Sequence, residues 1–316
     1  MEISRYYTVT KKLRREAVVR SLFFLEEGRR RQLERWLRGR EEYRCLRHAD
    51  AAIVSCGKSG RTWLRVMISH FVRTRYDLPS AALIGFDSLL YRHPEIPRIL
   101  FTHDSYLSYY TGNFNSKADY RKVKALIFVR HPADVAVSQY FQWKHRIIPR
   151  KKWLNEYPAH GADVALFEFV MDKNAGLPYV VEFLNGWSKE RSIRADLEMV
   201  RYEDMRADPS GQLQRVIRWL GWEPTPGEIQ ESVEYGSFEN MQKMEKEGVF
   251  WLSGRAMQRK SDDSQERNKV RRGKVGGWRD YFDGTQIDQI STYIEGNLKP
   301  GFGYLQSETP LVRAAS

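Results

Sequence analysis

The chain has 316 residues, with 52 Lys plus Arg against 40 Asp plus Glu, and its formal charge of +12 favours an anionic partner: nucleic acid, an acidic lipid surface or an acidic small substrate. Its length allows one large domain or two modest ones, and its cysteines, Cys45 and Cys56, are too few for a disulfide framework. The most apolar early stretch, Ala17 to Leu25, is interrupted by Arg20, is far short of the ~20 residues of a bilayer span and lacks a small-residue cleavage site, so the chain reads as soluble and cytoplasmic.

In chain order, residues 11–47 are dense in Arg, Lys and Glu with Leu, Phe and Trp between them, the pattern of one or two amphipathic helices broken near Gly28 or Gly39. Residues 1–48 read as a basic helical extension resting on the main domain. A second reading lays Arg14, Arg15, Arg29, Arg30, Arg31 and Arg35 against anionic lipid as a peripheral membrane contact. Ala51–Ser55 is a short apolar run, and Thr62–Val72 carries helical spacing at Leu64, Met67, Ile68 and Phe71: strand, tight loop, helix. Ile99–Thr102 is a further strand that stops at His103. Val123–Val129 has the pattern of a buried strand, with Arg130 at its carboxyl end and Pro132 placed to open a helix through Phe141. The stretch 149–165 reads as a lid or surface excursion, Leu197–Tyr202 as a strand, and Leu213–Leu220 as a helix stopped by Gly221. Residues 253–274 lack periodicity and read as a charged loop. Strands that feed helices at their carboxyl ends predict a parallel α/β sheet, with ligand bound where those ends meet.

The first strand-to-helix junction holds Gly57, Lys58, Ser59, Gly60, Arg61 and Thr62 without the G-x-x-x-x-G-K-[ST] spacing of an ATP-binding loop. Backbone N–H groups opening a helix lack partners, Lys58 adds a mobile charge, and the Ser59 and Thr62 hydroxyls can donate to phosphate oxygens. At the second junction Arg130 can grip a phosphate through parallel N–H groups, with Ser138 about two helical turns further on as another donor. Anion sites on neighbouring units suit a ligand with phosphates at separate positions better than a triphosphate. Lys269–Trp278 mixes basic residues with glycines, which suits either a solvated loop or one that wraps an anion closely.

These stretches together resemble the cytosolic-type sulfotransferases. Gly57-Lys58-Ser59-Gly60-Arg61-Thr62-Trp63-Leu64 is similar to their 5'-phosphosulfate loop, usually P-K-S-G-T-T-W. Phe128-Val129-Arg130-His131-Pro132-Ala133-Asp134-Val135-Ala136-Val137-Ser138 resembles their 3'-phosphate motif, and Arg271-Arg272-Gly273-Lys274-Val275-Gly276-Gly277-Trp278 their late R-K-G-x-x-G-D-W segment. The resemblance implies a P-loop-like, three-layer α/β/α fold with a central parallel sheet over 49–305, flanked by the extension and by a tail at 306–316. It implies transfer of a sulfuryl group from 3'-phosphoadenosine 5'-phosphosulfate (PAPS) to a hydroxyl of a small-molecule, glycan or glycolipid acceptor. It assigns Lys58 to the 5'-phosphate and sulfuryl oxygens and Ser59, Gly60, Arg61 and Thr62 to loop contacts. Trp63, Tyr202 and Phe238 are assigned to adenine, Arg130 and Ser138 to the 3'-phosphate, and Arg271, Arg272 and Gly273 to that same phosphate. His103 matches the catalytic base, and Asp104 would orient its ring or belong to the acceptor site.

The chain departs from the family pattern at Cys56–Gly57 for a proline, Arg61 for a hydroxyl residue, Phe101 for an auxiliary lysine, Gly236 for a threonine and Gly277 for an aspartate. No dimerisation signature follows Trp278, so no oligomeric state is read. Histidines and cysteines at metal-ligand spacing are absent from the sequence, so no metal is expected. An acceptor pocket is expected from 76–98, 104–120 and 141–175, with Phe86, Tyr91, Tyr106, Tyr109, Tyr110, Trp143, Lys144, His145, Arg146 and Trp153 as candidate residues. The alternatives are a P-loop-like nucleotide kinase, which lacks its loop spacing, and a non-catalytic nucleotide-binding protein. No RRM, KH or zinc-finger pattern supports nucleic acid as partner.

Overall fold

Short runs with apolar centres, followed by Ser55, His103, Arg130 and Tyr202 in turn, form β1 (Ala51–Val54), β2 (Ile99–Thr102), β3 (Lys124–Val129) and β4 (Glu198–Arg201) of the computed structural model, which describes residues 15–19, 21–78, 83–86, 93–248 and 273–308. They pair as a 4-stranded, wholly parallel sheet in the order β2-β1-β3-β4, with Val54 level with Thr102 on one side and Ile127 on the other. Successive residues of a strand point to opposite faces. Ala52, Val54, Ala125, Ile127 and Val129 therefore enter one core, and Ala51, Ile53, Leu126, Phe128 and Val200 enter the other.

The helices, in order, are α1 (Glu27–Leu46), α2 (Arg61–Arg75), α3 (Leu107–Thr111), α4 (Pro132–His145), α5 (Pro149–Leu154), α6 (Leu166–Met171), α7 (Leu177–Arg191), α8 (Tyr202–Ala207), α9 (Pro209–Trp219), α10 (Pro226–Tyr235), α11 (Phe238–Glu247) and α12 (Gly284–Asn297). Ala133, Val135 and Tyr140 of α4, Leu177, Val180 and Leu184 of α7, and Ile290 and Ile294 of α12 close the first core. Leu64, Met67 and Phe71 of α2, Leu213 and Val216 of α9, and Ile229 of α10 close the second, which completes the expected three layers. No described helix is long and apolar enough to cross a membrane.

The expected strands and their following helices are present, while the N-terminal segment and the stretch after 148 differ from expectation. The expected break near Gly28 is present, since residues 22–26 are not helical between the helical residues 15–19 and the start of α1, but α1 runs unbroken through Gly39. At Gly39 a Cβ would lie 2.2 Å from the Tyr106 carbonyl oxygen, so this glycine lets α1 lie directly on the start of α3 rather than ending the helix. Residues 149–154 form α5, with Lys152 and Leu154 buried, instead of a surface excursion. Arg35 ties α1 to it, donating from Nε and Nη2 to the Leu154 carbonyl at 2.9 and 2.6 Å. Fully buried Glu34 is shared by Arg38 at 2.7 Å and Arg150 at 3.0 Å. Arg31 and Arg35 both pair with Glu156, and Arg15 pairs with Glu41. Much of the basic residue set of the extension is therefore spent on protein contacts. Arg14, Tyr91, Arg271, Arg272 and the tail beyond 308 lie outside the described residues.

Gly39→Ala should lower the unfolding free energy, measured by denaturant titration, by about 1 kcal/mol or more, because overpacking against the Tyr106 backbone outweighs alanine's better helix propensity. Gly28→Ala, where a Cβ meets nothing within 4 Å, should not lower it. Equal effects would show that α1 does not bear on α3 as described.

Candidate active site

The carboxyl ends of β1 and β3 adjoin, and the loops that leave them line one cavity of about 790 Å³. On the β1 side, Lys58 holds φ +71 and Gly60 holds φ +101, left-handed values that turn the chain sharply into α2. Only glycine fits at position 60, since a Cβ there would also lie 2.7 Å from the Tyr202 ring. Lys58, Gly60, Arg61, Thr62 and Trp63 line the cavity. Ser59 does not: it is 1% exposed, and its N–H donates back to the Cys56 carbonyl at 3.4 Å.

On the β3 side, Arg130 and Ser138 line the same cavity. The Arg130 guanidinium lies 4.4 Å from the Tyr202 ring centre and donates to the Lys274 carbonyl at 3.1 Å, while its buried Nε has no partner among the described residues. Asp134, one helical turn on, is the unforeseen element. Its buried carboxylate accepts from the Gly276 and Trp278 N–H groups at 2.8 and 2.9 Å, which staples the late glycine segment beside Arg130. Gly273 and Phe238 line the cavity there, and the Gly273 carbonyl accepts from the Tyr202 hydroxyl at 3.3 Å. Trp63 meets Tyr202 edge-on at 5.8 Å and donates from Nε1 to the Gly236 carbonyl at 2.7 Å, so Trp63, Tyr202 and Phe238 form an aromatic recess.

His103 follows β2 and also lines the cavity. Its Nδ1 contacts the Ser55 carbonyl at 2.9 Å and its Nε2 contacts Arg61 Nη2 at 3.0 Å. A carbonyl only accepts and a guanidinium only donates. These partners require the tautomer with hydrogen on Nδ1 and a lone pair on Nε2. The Ser55 carbonyl thus orients the ring. Asp104 instead accepts from Lys117 at 2.5 Å and Tyr120 at 3.0 Å. Arg61 is pushed down to about 9, by burial first and Arg65 second, and its buried Nη1 has no partner among the described residues. The Thr102 hydroxyl donates to Glu42, which brings α1 into the rear of the site.

Tyr106, Ile147, Ile148, Lys151, Asn155, Tyr157, Tyr179 and Met241 wall the rest of the cavity. Of the residues expected for an acceptor, Tyr106 and Arg146 are on this wall. Trp143 is 2% exposed in the core, and Tyr110 packs between Trp36 and Tyr43 of α1. Lys144 turns away to the Tyr140 hydroxyl at 3.0 Å. Tyr157 and Tyr179 carry no local motif and reach the wall only through tertiary packing. Among the described residues no group of His, Cys, Asp and Glu is arranged to hold a metal.

Residues 48–302 match the family described as the sulfotransferase domain. Sulfotransferase 2A1 of Mus musculus is 24% identical over 266 residues, which take in 80% of this chain and 85% of that protein. Flavonol 3-sulfotransferase of Flaveria bidentis is 24% identical over 265 residues, or 79% and 81% of the two chains. A solved structure of retinol dehydratase in a complex with retinol and PAP superposes with a TM-score of 0.53 at 19% identity, covering 80% of this chain and 82% of that one, a likeness of fold.

Burial, and after it the neighbouring Asp104, pushes the Glu42 carboxyl up to about 7 from 4.5. The folded protein therefore holds this proton more tightly than the unfolded chain, and the resulting stability is whole below about 4.5 and lost as pH rises through about 7. Glu42→Gln should flatten the fall of urea midpoint across that window. Parallel curves for variant and parent would remove Glu42 as its source.

Proposed function

The chain belongs to the sulfotransferase-domain family and is a sulfuryl-transfer enzyme, and we propose that its donor is PAPS, with its phosphates divided between the Lys58 loop and Arg130. The observation that carries this is the opening of both anion-binding junctions, the aromatic recess and His103 into one cavity. The residues fit the group chemically. Arg61 Nη1 and Arg130 Nε are buried N–H donors without partners among the described residues, which an anion would satisfy.

The donor supplies a sulfuryl group on a phosphate leaving group. Lys58 and Thr62 hold the 5'-phosphate and sulfuryl oxygens, and Ser59, Gly60 and Arg61 form the loop around them. Arg130 and Ser138 hold the 3'-phosphate, joined by Gly273 and by Arg271 and Arg272 of the adjoining segment. Trp63, Tyr202 and Phe238 enclose adenine. His103 takes the acceptor proton on Nε2, the nitrogen left without a hydrogen when Nδ1–H donates to the Ser55 carbonyl. Arg61 covers that lone pair at 3.0 Å, so an anion that draws Arg61 toward the loop also frees the base for the acceptor hydroxyl. Transfer is in line, and positioning and electrostatics supply most of the acceleration. Lys58, Arg61 and Arg130 carry the charge neutralisation that a divalent metal performs in phosphoryl-transfer enzymes, so no metal is required. The acceptor is a hydroxylated small molecule, in keeping with the flavonol and retinol named for the relatives.

Titration calorimetry with adenosine 3',5'-bisphosphate separates the roles. Lys58→Ala should weaken binding by about tenfold or more, the size of a lost hydrogen bond between charged groups. His103→Ala should bind nearly as the parent does and lose turnover. Equal losses of affinity would overturn these roles. Arg130→Ala should bind adenosine 3',5'-bisphosphate and adenosine 5'-phosphate with similar affinity; a preserved preference for the bisphosphate would remove Arg130 from the 3'-phosphate.

A further inference from the structure

Building on that function, we propose that the acceptor is a phenol bearing a carboxylate, and that Lys151 is the residue that receives the carboxylate. Lys151 lies on α5 and lines the cavity beside Tyr106, Tyr157 and Tyr179. Its ammonium donates to the Tyr106 hydroxyl at 3.3 Å and lies 5.2 Å from the centre of that ring. The Tyr106 hydroxyl in turn donates to Asn155 Oδ1 at 2.6 Å, so its oxygen meets Lys151 as an acceptor. An ammonium has three N–H donors, and this contact uses one of them.

The surrounding carboxylates are committed elsewhere. Glu34 serves Arg38 and Arg150, Glu156 serves Arg31 and Arg35, and Glu245 serves Arg146. Among the described residues none forms an ion pair with Lys151. Burial, then Arg38 and Arg15, push the amine down to about 8 against a smaller opposing pull from Glu34 and Glu42. A cation held in a cavity without a counter-charge is costly, and an anionic ligand removes that cost on binding. The cations first read from the sequence as suited to an acidic acceptor do not compete for it: Lys144 faces Tyr140, and Arg146 is paired with Glu245.

The wall also selects for a ring. Tyr106, Tyr157, Tyr179, Ile147, Ile148 and Met241 offer flat and apolar surface to an aromatic ring, and the Asn155 amide oxygen beside them is already taken by the Tyr106 hydroxyl. Tyr106 follows His103 by three residues, so one short segment carries both the base and the hydroxyl that Lys151 touches. His103 and Lys151 also line the same cavity, so a single acceptor can meet His103 with its hydroxyl and Lys151 with its anion. In the reaction the phenol oxygen forms the new O–S bond, its proton passes to His103 Nε2, and the electron pair of the broken S–O bond stays on the departing phosphate oxygen. The carboxylate is unchanged.

The test uses the full chain, labelled PAPS and two matched probe sets: 4-hydroxybenzoate, 4-hydroxyphenylacetate, 3-(4-hydroxyphenyl)propionate and 4-hydroxycinnamate, and the primary amide of each. The best acid should exceed its amide in kcat/KM by about tenfold or more, as expected of one hydrogen bond to a charged group. Lys151→Gln should erase the preference through KM and Lys151→Arg should retain it, with adenosine 3',5'-bisphosphate affinity within about twofold of the parent in both, since the nucleotide loops are untouched. Amides equal to or better than acids, a preference that survives Lys151→Gln, or failure of both sets in a protein that binds the nucleotide would each overturn the proposal while leaving the donor assignment standing. Failure to bind the nucleotide would instead strike the function on which it rests.

Discussion

The parallel pairing of β1 with β3 is the constraint on which the site depends. Val54 lies level with Ile127, so β3 extends past the end of β1 before it releases Arg130. The glycine turn after β1 and the guanidinium after β3 are thereby set at the rim of one crevice, where the chain has passed from one side of β1 to the other. A one-residue slip of β3 would send Ala125, Ile127 and Val129 into the wrong core, so packing on both faces protects the register. The placement of charge at the rim is therefore maintained by apolar side chains beneath it.

A protein with this excess of cations has to keep several of them aimed at a ligand without letting them repel one another. It does so by spending each buried acid on a particular task. Asp134 holds the late glycine segment against Arg130, Asp104 holds Lys117 and Tyr120, and Glu34 holds Arg38 and Arg150. Among the described residues, Arg61 Nη1 and Arg130 Nε at the loops have no hydrogen-bond partner and the Lys151 ammonium at the far wall has no carboxylate partner, and all three residues line the cavity. Burial depresses both Arg61 and Lys151, as it does any cation removed from water.

The N-terminal helix has a larger part in this arrangement than a peripheral extension would. Through Arg35 and Leu154 it fixes α5, which bears Lys151, and through Glu42 and Thr102 it reaches the base of the His103 loop. The residues that accomplish this read in isolation as a charged amphipathic surface. Charge pattern alone does not distinguish an arginine facing lipid from one donating to a carbonyl more than a hundred residues away in the chain.

Local chemistry made much of the framework legible. Apolar runs ending at His103, Arg130 and Tyr202, a proline at the start of α4 and a glycine before α2 are near-neighbour signals, and they carry the parallel sheet and both anion loops. The helix α7 carries apolar spacing too, but no chemical motif adjoins it to mark its place, and Ser59 is legible as a hydroxyl but not as a buried one. Trp143 and Tyr179 show the limit clearly: both are large aromatics on helices, yet one is core and the other is cavity wall. By itself the sequence determined the strands, the turn chemistry and the types of donor available to an anion. Only the tertiary structure decided which cations are neutralised, which nitrogen of His103 carries a lone pair and which aromatics face the ligand, because those depend on contacts between segments far apart in the chain.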